Sequence, residues 1–424
     1  MQSGNLADAL NRSCHCINVD PRSLRDSLES RFAEPGAYAR LRETHPHLLA
    51  DSPVFIGRDQ IEAMQEVIEA VERVVRLPLY NDRILDQAPA IAATTTGPPG
   101  VFFGYDFHLT ADGPRLIEIN TNAGGALLLL HLSAAQQACC EAVNEFVVAP
   151  NVLENLETRF VEMFRGEMAF MQPGRELRRV AIVDESPKSQ YLFPEFELFR
   201  NLFATHHIDA VIAGPEEFSV SGMALQVQGE TVDLVYNRLT DFYLESDACK
   251  TLRRALETGA AVFTPGPRAH ALYANKRNLT LLCDRQAMSE LGADEKTRDV
   301  LAEAVPHTET VTRSKANDLW ANRRRLYFKP ARGFGSRGTY KGAKLTRKTW
   351  SAILDGDYIA QELVEPSERV LLGDDETLTL KLDVRCYVYR GATQLLGARM
   401  YRGQTTNFRT VMGGLATVFT TPPA

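Results

Sequence analysis

The stretch from Gly104 to Gly125, GYDFHLTADGPRLIEINTNAGG, constrains this chain more than any other. Two apolar-rich runs, YDFHL and RLIEIN, flank Thr-Ala-Asp-Gly-Pro, a turn-rich sequence that predicts a β-hairpin. Side chains alternate across a strand, so Glu118 and Asn120 share one face while Ile117 and Ile119 take the other. With Asp106 on the partner strand, three oxygen-bearing side chains converge. Hard oxygen donors on a rigid ladder suit a hard cation, Mg²⁺, that also holds the phosphate oxygens of a nucleotide. An isolated Glu-x-Asn would read as a surface hairpin with its acids in water. By these residues alone, both readings stand.

Length and charge narrow the setting. The 424 residues suggest two to three domains. A formal charge of −7 argues against nucleic acid or an anionic membrane as the main partner, although a local basic groove can still bind a small anion. The seven cysteines show no framework spacing, which fits a reducing cytoplasm. Cys14-His15-Cys16 offers no second pair to complete a tetrahedral zinc site. No basic-then-apolar leader pattern opens the sequence, and the strongest apolar run, Ala126 to Leu132, is too short to cross a bilayer.

Periodicity divides the chain up to about residue 270 into three parts. Residues 1–95 read as a helical region, most clearly in QIEAMQEVIEAV from Gln60 to Val71. Residues 96–175 hold the metal-like hairpin and a long helix expected from Leu127 to about Phe170, with Cys139 and Cys140 as small apolar packing groups and a break at Pro173-Gly174. Residues 176–270 alternate strands (RRVAIVDE, IDAVIAG, a hairpin ending in VDLVYNRL, AVFTP) with helices at Phe193–Thr205 and Asp247–Glu257, the pattern of a parallel, Rossmann-like α/β domain. For the whole chain, periodicity alone gives a mixed α/β (α+β) class.

The chemistry concentrates downstream. Lys276 sits in Ala-Asn-Lys-Arg after TPGP, opening a helical run. In LYFKPARGFGSRG, Lys329 ends a strand and a loop of glycines and arginines follows, whose backbone N–H groups can approach a polyphosphate. Gly333 to Gly338 also spells GxGxxG, but no helix opens after it, and neither kinase elements nor a Walker A lysine are present. Tyr358-Ile359-Ala360-Gln361-Glu362-Leu363-Val364 reads as a plain strand when taken alone; an adenine fits between such apolar side chains and a polar hinge. Finally KLDVRCYVY and LLGARMYRGQTTNFRTVMGG supply Arg385, Arg399, Arg402, Asn407 and Arg409, forks suited to carboxylate or phosphate.

The order Lys276, Lys329 with its loop, the Gln361–Val364 hinge, Asp383-Val384-Arg385 and Asn407-Phe408-Arg409-Thr410 resembles the ATP-grasp ligases. Local motifs are similar to the ribosomal-protein glutamate ligases. The early hairpin resembles the circularly permuted glutathione synthetases and glutathionylspermidine synthetases. The resemblance covers about residues 98–140 and 176–424. It implies a circularly permuted ATP-grasp fold: the hairpin and its helix from the large subdomain (96–175), a pre-ATP-grasp domain (176–270), the small subdomain (271–365) and the remaining large subdomain (366–424). It also implies ATP and Mg²⁺ as cofactors. Asp106, Glu118 and Asn120 would ligate metal. Lys276 and Lys329 would bind phosphates beneath Gly333, Gly335, Ser336 and Gly338, and Gln361, Glu362 and Val364 would hold the base, with Glu365 or Glu368 at the ribose. Arg385, Arg409 and Asn407 would steady the transferred phosphoryl group or the donor carboxylate.

The expected activity is an ATP-dependent carboxylate–amine ligation through an acyl phosphate, with a small-molecule carboxylate donor and an amine acceptor as substrates. A phosphotransferase on the same fold and a nucleotide-binding module without turnover are the competing classes. Asn237, Arg238 and Asp241 are equally acceptor contacts or a helix-capping loop. A homodimer is compatible with the sequence and not required by it.

Overall fold

The computed structural model describes residues 6–15, 17–94, 97–138, 155–333, 335, 337–373 and 377–423. The predicted hairpin forms as β3 (Phe103–Thr110) and β4 (Gly113–Asn120). It is one edge of a seven-stranded sheet with β2 (Val54–Gly57), β17 (Ser367–Leu372), β18 (Thr377–Tyr389), β19 (Ala392–Tyr401) and β20 (Gly414–Thr421), in the order β2–β20–β19–β18–β3–β4. The long strand β18 serves two neighbours on one side: its first half pairs with β17 and its second with β3. That division follows from its sequence. TLTLKL alternates exposed and buried residues, whereas DVRCYV is buried throughout and needs cover on both faces.

Two expectations from periodicity are corrected. The first 95 residues contain helices, the longest Arg58–Val75, but also β1 (Ile17–Val19), which pairs with β5 (Gln136–Ala138), and β2, which pairs in parallel with β20. All four residues of β2 are buried, and so short an apolar run carries no period that distinguishes strand from helix. The helix expected from Leu127 to about Phe170 is a helix at Ala126–Ala134, then β5, and later a separate helix at Leu156–Met171. Leu127 to Leu130 are buried on all sides, so the run gives no amphipathic stripe from which to read an end. Cys139 and Cys140 lie outside the described residues.

The α/β region forms as its alternation predicts. Strands β6 (Arg179–Val183), β7 (Asp209–Ala213), β11 (Leu234–Asn237) and β12 (Val262–Thr264) make a parallel sheet in the order β12–β11–β6–β7. A helix spans Phe193–Thr205 as expected. The hairpin before β11 is a three-stranded antiparallel sheet of β8 (Phe218–Ser221), β9 (Ala224–Val227) and β10 (Glu230–Val232). A fourth layer, β13 (Thr308–Thr310), β14 (Leu326–Pro330), β15 (Tyr340–Lys341) and β16 (Tyr358–Glu362), is antiparallel in the order β13–β16–β14–β15 and has its own core around Phe328, Trp350 and Ile353. Among the described residues no helix is long and apolar enough to cross a membrane.

Candidate active site

Between the β3–β4 edge of the large sheet and the β14–β16 layer lies an open cleft. Its walls include Asp106, Glu118, Lys276, Lys329, Asp383 and Arg399, with the 361–366 segment along one side. Residues from five separate stretches of sequence therefore meet in one place.

The hairpin pairs Asp106 with Glu118 and Gly104 with Asn120, which puts the three expected ligands on one face. One detail differs from simple alternation. A register shift between Asp106 and Phe107 leaves Ile117 as an extra residue, and Ile117 lines the cleft instead of joining Ile119 in the core. A β-bulge re-aims a side chain in this way. The bulge also presents the Ile117 carbonyl to Lys329 Nζ at 3.2 Å.

Asp106 is heavily engaged. Arg385 Nε and Nη2 reach its two oxygens at 2.6 and 2.7 Å, Arg399 Nη2 reaches Oδ2 at 2.8 Å, and Asn120 Nδ2 donates to Oδ2 at 3.1 Å. Arg399 continues to Asp383 Oδ1 at 2.6 Å, and Thr406 Oγ1 donates to the other oxygen of Asp383 at 2.5 Å. Glu118 is freer, with Lys276 Nζ at 3.5 Å and Asn120 Nδ2 at 3.3 Å. Burial alone would push its carboxyl up, but Lys276, Lys329, Arg399 and Arg385 outweigh burial and hold it well below the usual carboxylate range. Among the described residues no three His, Cys, Asp or Glu side chains are grouped to hold a metal ion. An ion here would depend on the Asn120 amide oxygen or on backbone and substrate oxygens.

Lys329 is buried, donating to Gln361 Oε1 at 2.8 Å, and Gln361 in turn donates to Thr308 Oγ1 at 3.3 Å. Burial lowers the Lys329 pKa to about 8; Lys276 adds to that, while Glu118 and Asp106 oppose it. Lys276 donates to the Gly333 carbonyl at 2.7 Å and so ties the glycine loop to the segment that carries Lys276. Gly335 and Gly338 take positive φ (56° and 68°), which the loop requires of glycine. Ser336 lies outside the described residues.

The hinge is partly spoken for. Glu362 N donates to His307 O and Leu363 N to Arg325 O, both at 2.8 Å. His108 Nδ1 lies 2.8 Å from the Val364 carbonyl, an acceptor, so that nitrogen carries the proton. Burial lowers the His108 pKa, in keeping with a neutral ring. Glu365 lines the cleft and holds Lys341 at 2.6 Å, whereas Glu368 is an exposed residue of β17 opposite Lys381. His108, Lys341 and Thr406 were missed by sequence reasoning. Only the strand parity of His108 with Asp106 offered a signal.

The arginine cluster separates. Arg399 lines the cleft; Arg385 stands behind Asp106 as its partner. Asn407 organises its own loop, donating to the Arg402 and Thr405 carbonyls and accepting from Arg409 N and Thr410 Oγ1. Arg409 is exposed, and Gln404, Thr405 and Thr406 are the loop residues that line the cleft. After β11, Asp241 accepts from Glu245 N and Ser246 N within its own loop, and Asn237 Oδ1 accepts from Leu239 N of the same segment. Arg238 donates to the carbonyl of Asn122 in the turn after the hairpin.

No protein-family model matches this chain, and no curated protein matches it. Solved structures do. The chain is similar in fold to the glutathione synthetase like-effector GSS30 from Globodera pallida, in apo form, at 12% identity over 94% of this chain and 97% of that one, with a TM-score of 0.55. Weaker likenesses are a putative γ-glutamylcysteine synthetase from Methylobacillus flagellatus KT (10% identity, 85% and 87% covered, TM-score 0.47) and the ATP-grasp ligase PsnB complexed with a minimal precursor (18%, 53% and 77%, 0.30). The likeness of fold rests on the first.

Proposed function

We propose that the cleft is the active site of an ATP-dependent carboxylate–amine ligase that activates its donor as an acyl phosphate. The observation that carries the reading is the convergence of Lys276, Lys329 and Arg399 with the ionised Glu118 in one cleft beside a glycine loop, with Asn120 hydrogen-bonded to Glu118. Cations alone would mark any anion site. Cations facing a low-pKa carboxylate and an amide oxygen suit a metal-bound polyphosphate. The fold shared with a glutathione synthetase-like protein supports the same reading.

In this scheme Lys276 and Lys329 neutralise the phosphates, and residues 333–338 cover them. Asn120 Nδ2 is already given to the two acids, so its Oδ1 is the atom left for Mg²⁺ beside Glu118. Asp106 accepts three hydrogen bonds at Oδ2 and one at Oδ1, so only Oδ1 retains a lone pair to join. When bound, Mg²⁺ supplies charge neutralisation between phosphate oxygens. Val364 N has no protein acceptor among the described residues and is the hinge amide for the base edge. Arg399 holds the donor carboxylate toward the γ-phosphorus. A donor oxygen attacks that phosphorus as the bond to ADP breaks, and the amine nitrogen then attacks the acyl carbon, expelling phosphate. Holding two anions together in line is where such a site gains most, on the order of several kcal/mol.

The test is incubation with MgATP, hydroxylamine and pools of amino acids, peptides and other carboxylates. Hydroxamate should form as ADP accumulates. ADP release that yields only a stable phosphate ester would replace the ligase by a phosphotransferase, and no ADP release with any pool would leave a binding module.

A further inference from the structure

Charge is spread very unevenly along this chain. Between Arg313 and Lys348 stand twelve lysines and arginines and a single acid, Asp318, a local charge of +11. The whole chain carries −7, so the remainder carries −18. The fold concentrates much of this excess on one edge of the β14–β16 layer. The 3₁₀ turns Arg323–Arg325 and Gly342–Lys344 meet so closely that a Cβ on Gly342 would collide with the Arg323 carbonyl. The guanidiniums of Arg323 and Arg347 each lie 4.1 Å from the centre of the Trp320 ring. Arg324, Arg325, Lys344 and Lys348 are exposed beside these elements, and no ion pair within 4.0 Å is formed by any of the four among the described residues.

Single unpaired surface cations are ordinary and solvated. Six on adjoining elements, fixed by backbone packing in an acidic protein, repel one another and create a local field that an anion would relieve. The edge is continuous with the cleft. The Arg325 carbonyl accepts from Leu363 N of the hinge, and β15 runs from the phosphate loop through Lys341, a cleft residue, into the turn that ends at Lys344.

We propose that this basic edge docks an acidic stretch of a polypeptide substrate, whose neighbouring carboxylate is the one offered to the cleft. The docking stands on the charge and geometry of the edge; delivery of a donor carboxylate rests on the ligase reading. Screening confines each charge to a reach of about 8 Å at physiological salt. A short acidic segment fits within that reach. A nucleic acid or an anionic bilayer extends beyond it and meets the −18 of the remaining chain. The Trp320 ring, taken by two guanidiniums, is also no platform for stacking a base.

The test uses the full-length protein and a fluorescein-labelled, glutamate-rich peptide of roughly a dozen residues, read by anisotropy, with its glutamine counterpart as control. The glutamate peptide should bind, more weakly as salt rises, and the glutamine peptide should not. The exposed-charge variant R324Q/R325Q/K344Q/K348Q should bind it on the order of 10-fold more weakly, with melting temperature and MgATP affinity unchanged. The half-variants R324Q/R325Q and K344Q/K348Q, which keep the fold if the quadruple variant does not, should each lose part of the affinity. No binding by the wild type, unchanged binding by the variants, or tighter binding of a single-stranded oligonucleotide or phosphatidylserine vesicles at equal salt would overturn the proposal. Peptide binding lost in the variant together with no ADP release from any carboxylate would uphold the docking and remove the ligase reading. Hydroxamate from small acids with no peptide binding would do the reverse.

Discussion

Arg385 and Asp106 face each other as register partners on β18 and β3, 279 residues apart in sequence, and form a two-point ion pair at 2.6 and 2.7 Å. Both are buried, and Arg399 shares the same carboxylate. A buried pair is a weak source of net stability, but stranding one member is costly. Asp106→Ala should therefore lose about 3–5 kcal/mol in urea unfolding. Asp106→Leu combined with Arg385→Met should lose clearly less, since the guanidinium left without a carboxylate is gone while Arg399 keeps Asp383. A double variant as unstable as the single one would show that the pair is not what Asp106 supports.

Glu118 differs from Asp106 in having only a 3.5 Å lysine and one amide hydrogen bond to hold it. Four cations keep it ionised, so it is the acid most ready to accept a metal ion. Glu118→Gln should lower ADP release by roughly 100-fold or more at limiting Mg²⁺, with part of the loss recovered at high Mg²⁺. Wild-type turnover by that variant at limiting Mg²⁺ would remove the metal role.

Much of this geometry was legible because local rules and tertiary structure agree. The hairpin around Thr-Ala-Asp-Gly-Pro, the helix at Phe193–Thr205 and the parallel strands near Ile182 and Val235 each follow from turn chemistry or period. What escaped was set by partners distant in sequence. Nothing in YDFHL announces that Asp106 will be bonded by Arg385 and Arg399, because arginine pairing depends on which strands become neighbours. The bulge at Ile117 inverts one side chain without leaving a glycine or proline as a sign. Arg409 and Asn407 read as part of an anion pocket because they stand in alternating strand patterns beside a Gly-Gly turn. The loop instead uses Asn407 to hold its own carbonyls and presents Thr406 to Asp383.

The strand hidden in the helical amino-terminal region makes a further test. Gly414 opens β20 at φ 109°, and an added Cβ would meet the carbonyls of His47 and Leu48 at 2.5 and 2.6 Å. The same segment is sewn in by Leu415 N to Leu48 O and Ala50 N to Leu415 O. Gly414→Ala carries both backbone strain and a clash with main chain that cannot turn aside. A loss of about 2–4 kcal/mol in denaturant unfolding is expected. Gly403→Ala, also at positive φ (108°) but with open space around its Cβ, should cost less. Equal losses would mean that φ alone, without the approach of residues 47–48, decides.

Lys329 gives the cleft a pH dependence whose sign is fixed by its burial. Its folded pKa, about 8, lies below the ordinary 10.5. Between those values the unfolded chain holds more protons than the folded one, so stability rises with pH across that window. Below pH 8 the full penalty of burying the ammonium is present, and Lys329→Met should stabilise the nucleotide-free protein there. Binding runs the other way. A neutral amine has no charge to give a phosphate, so MgATP affinity should fall as pH rises past about 8, with the midpoint moved upward by the phosphate's own charge. Lys329→Arg keeps its charge throughout and should flatten the profile. Calorimetric titration with MgATP across this range checks both proteins. An affinity in the wild type that does not change with pH, or a fall that persists unaltered in Lys329→Arg, would remove Lys329 from the nucleotide.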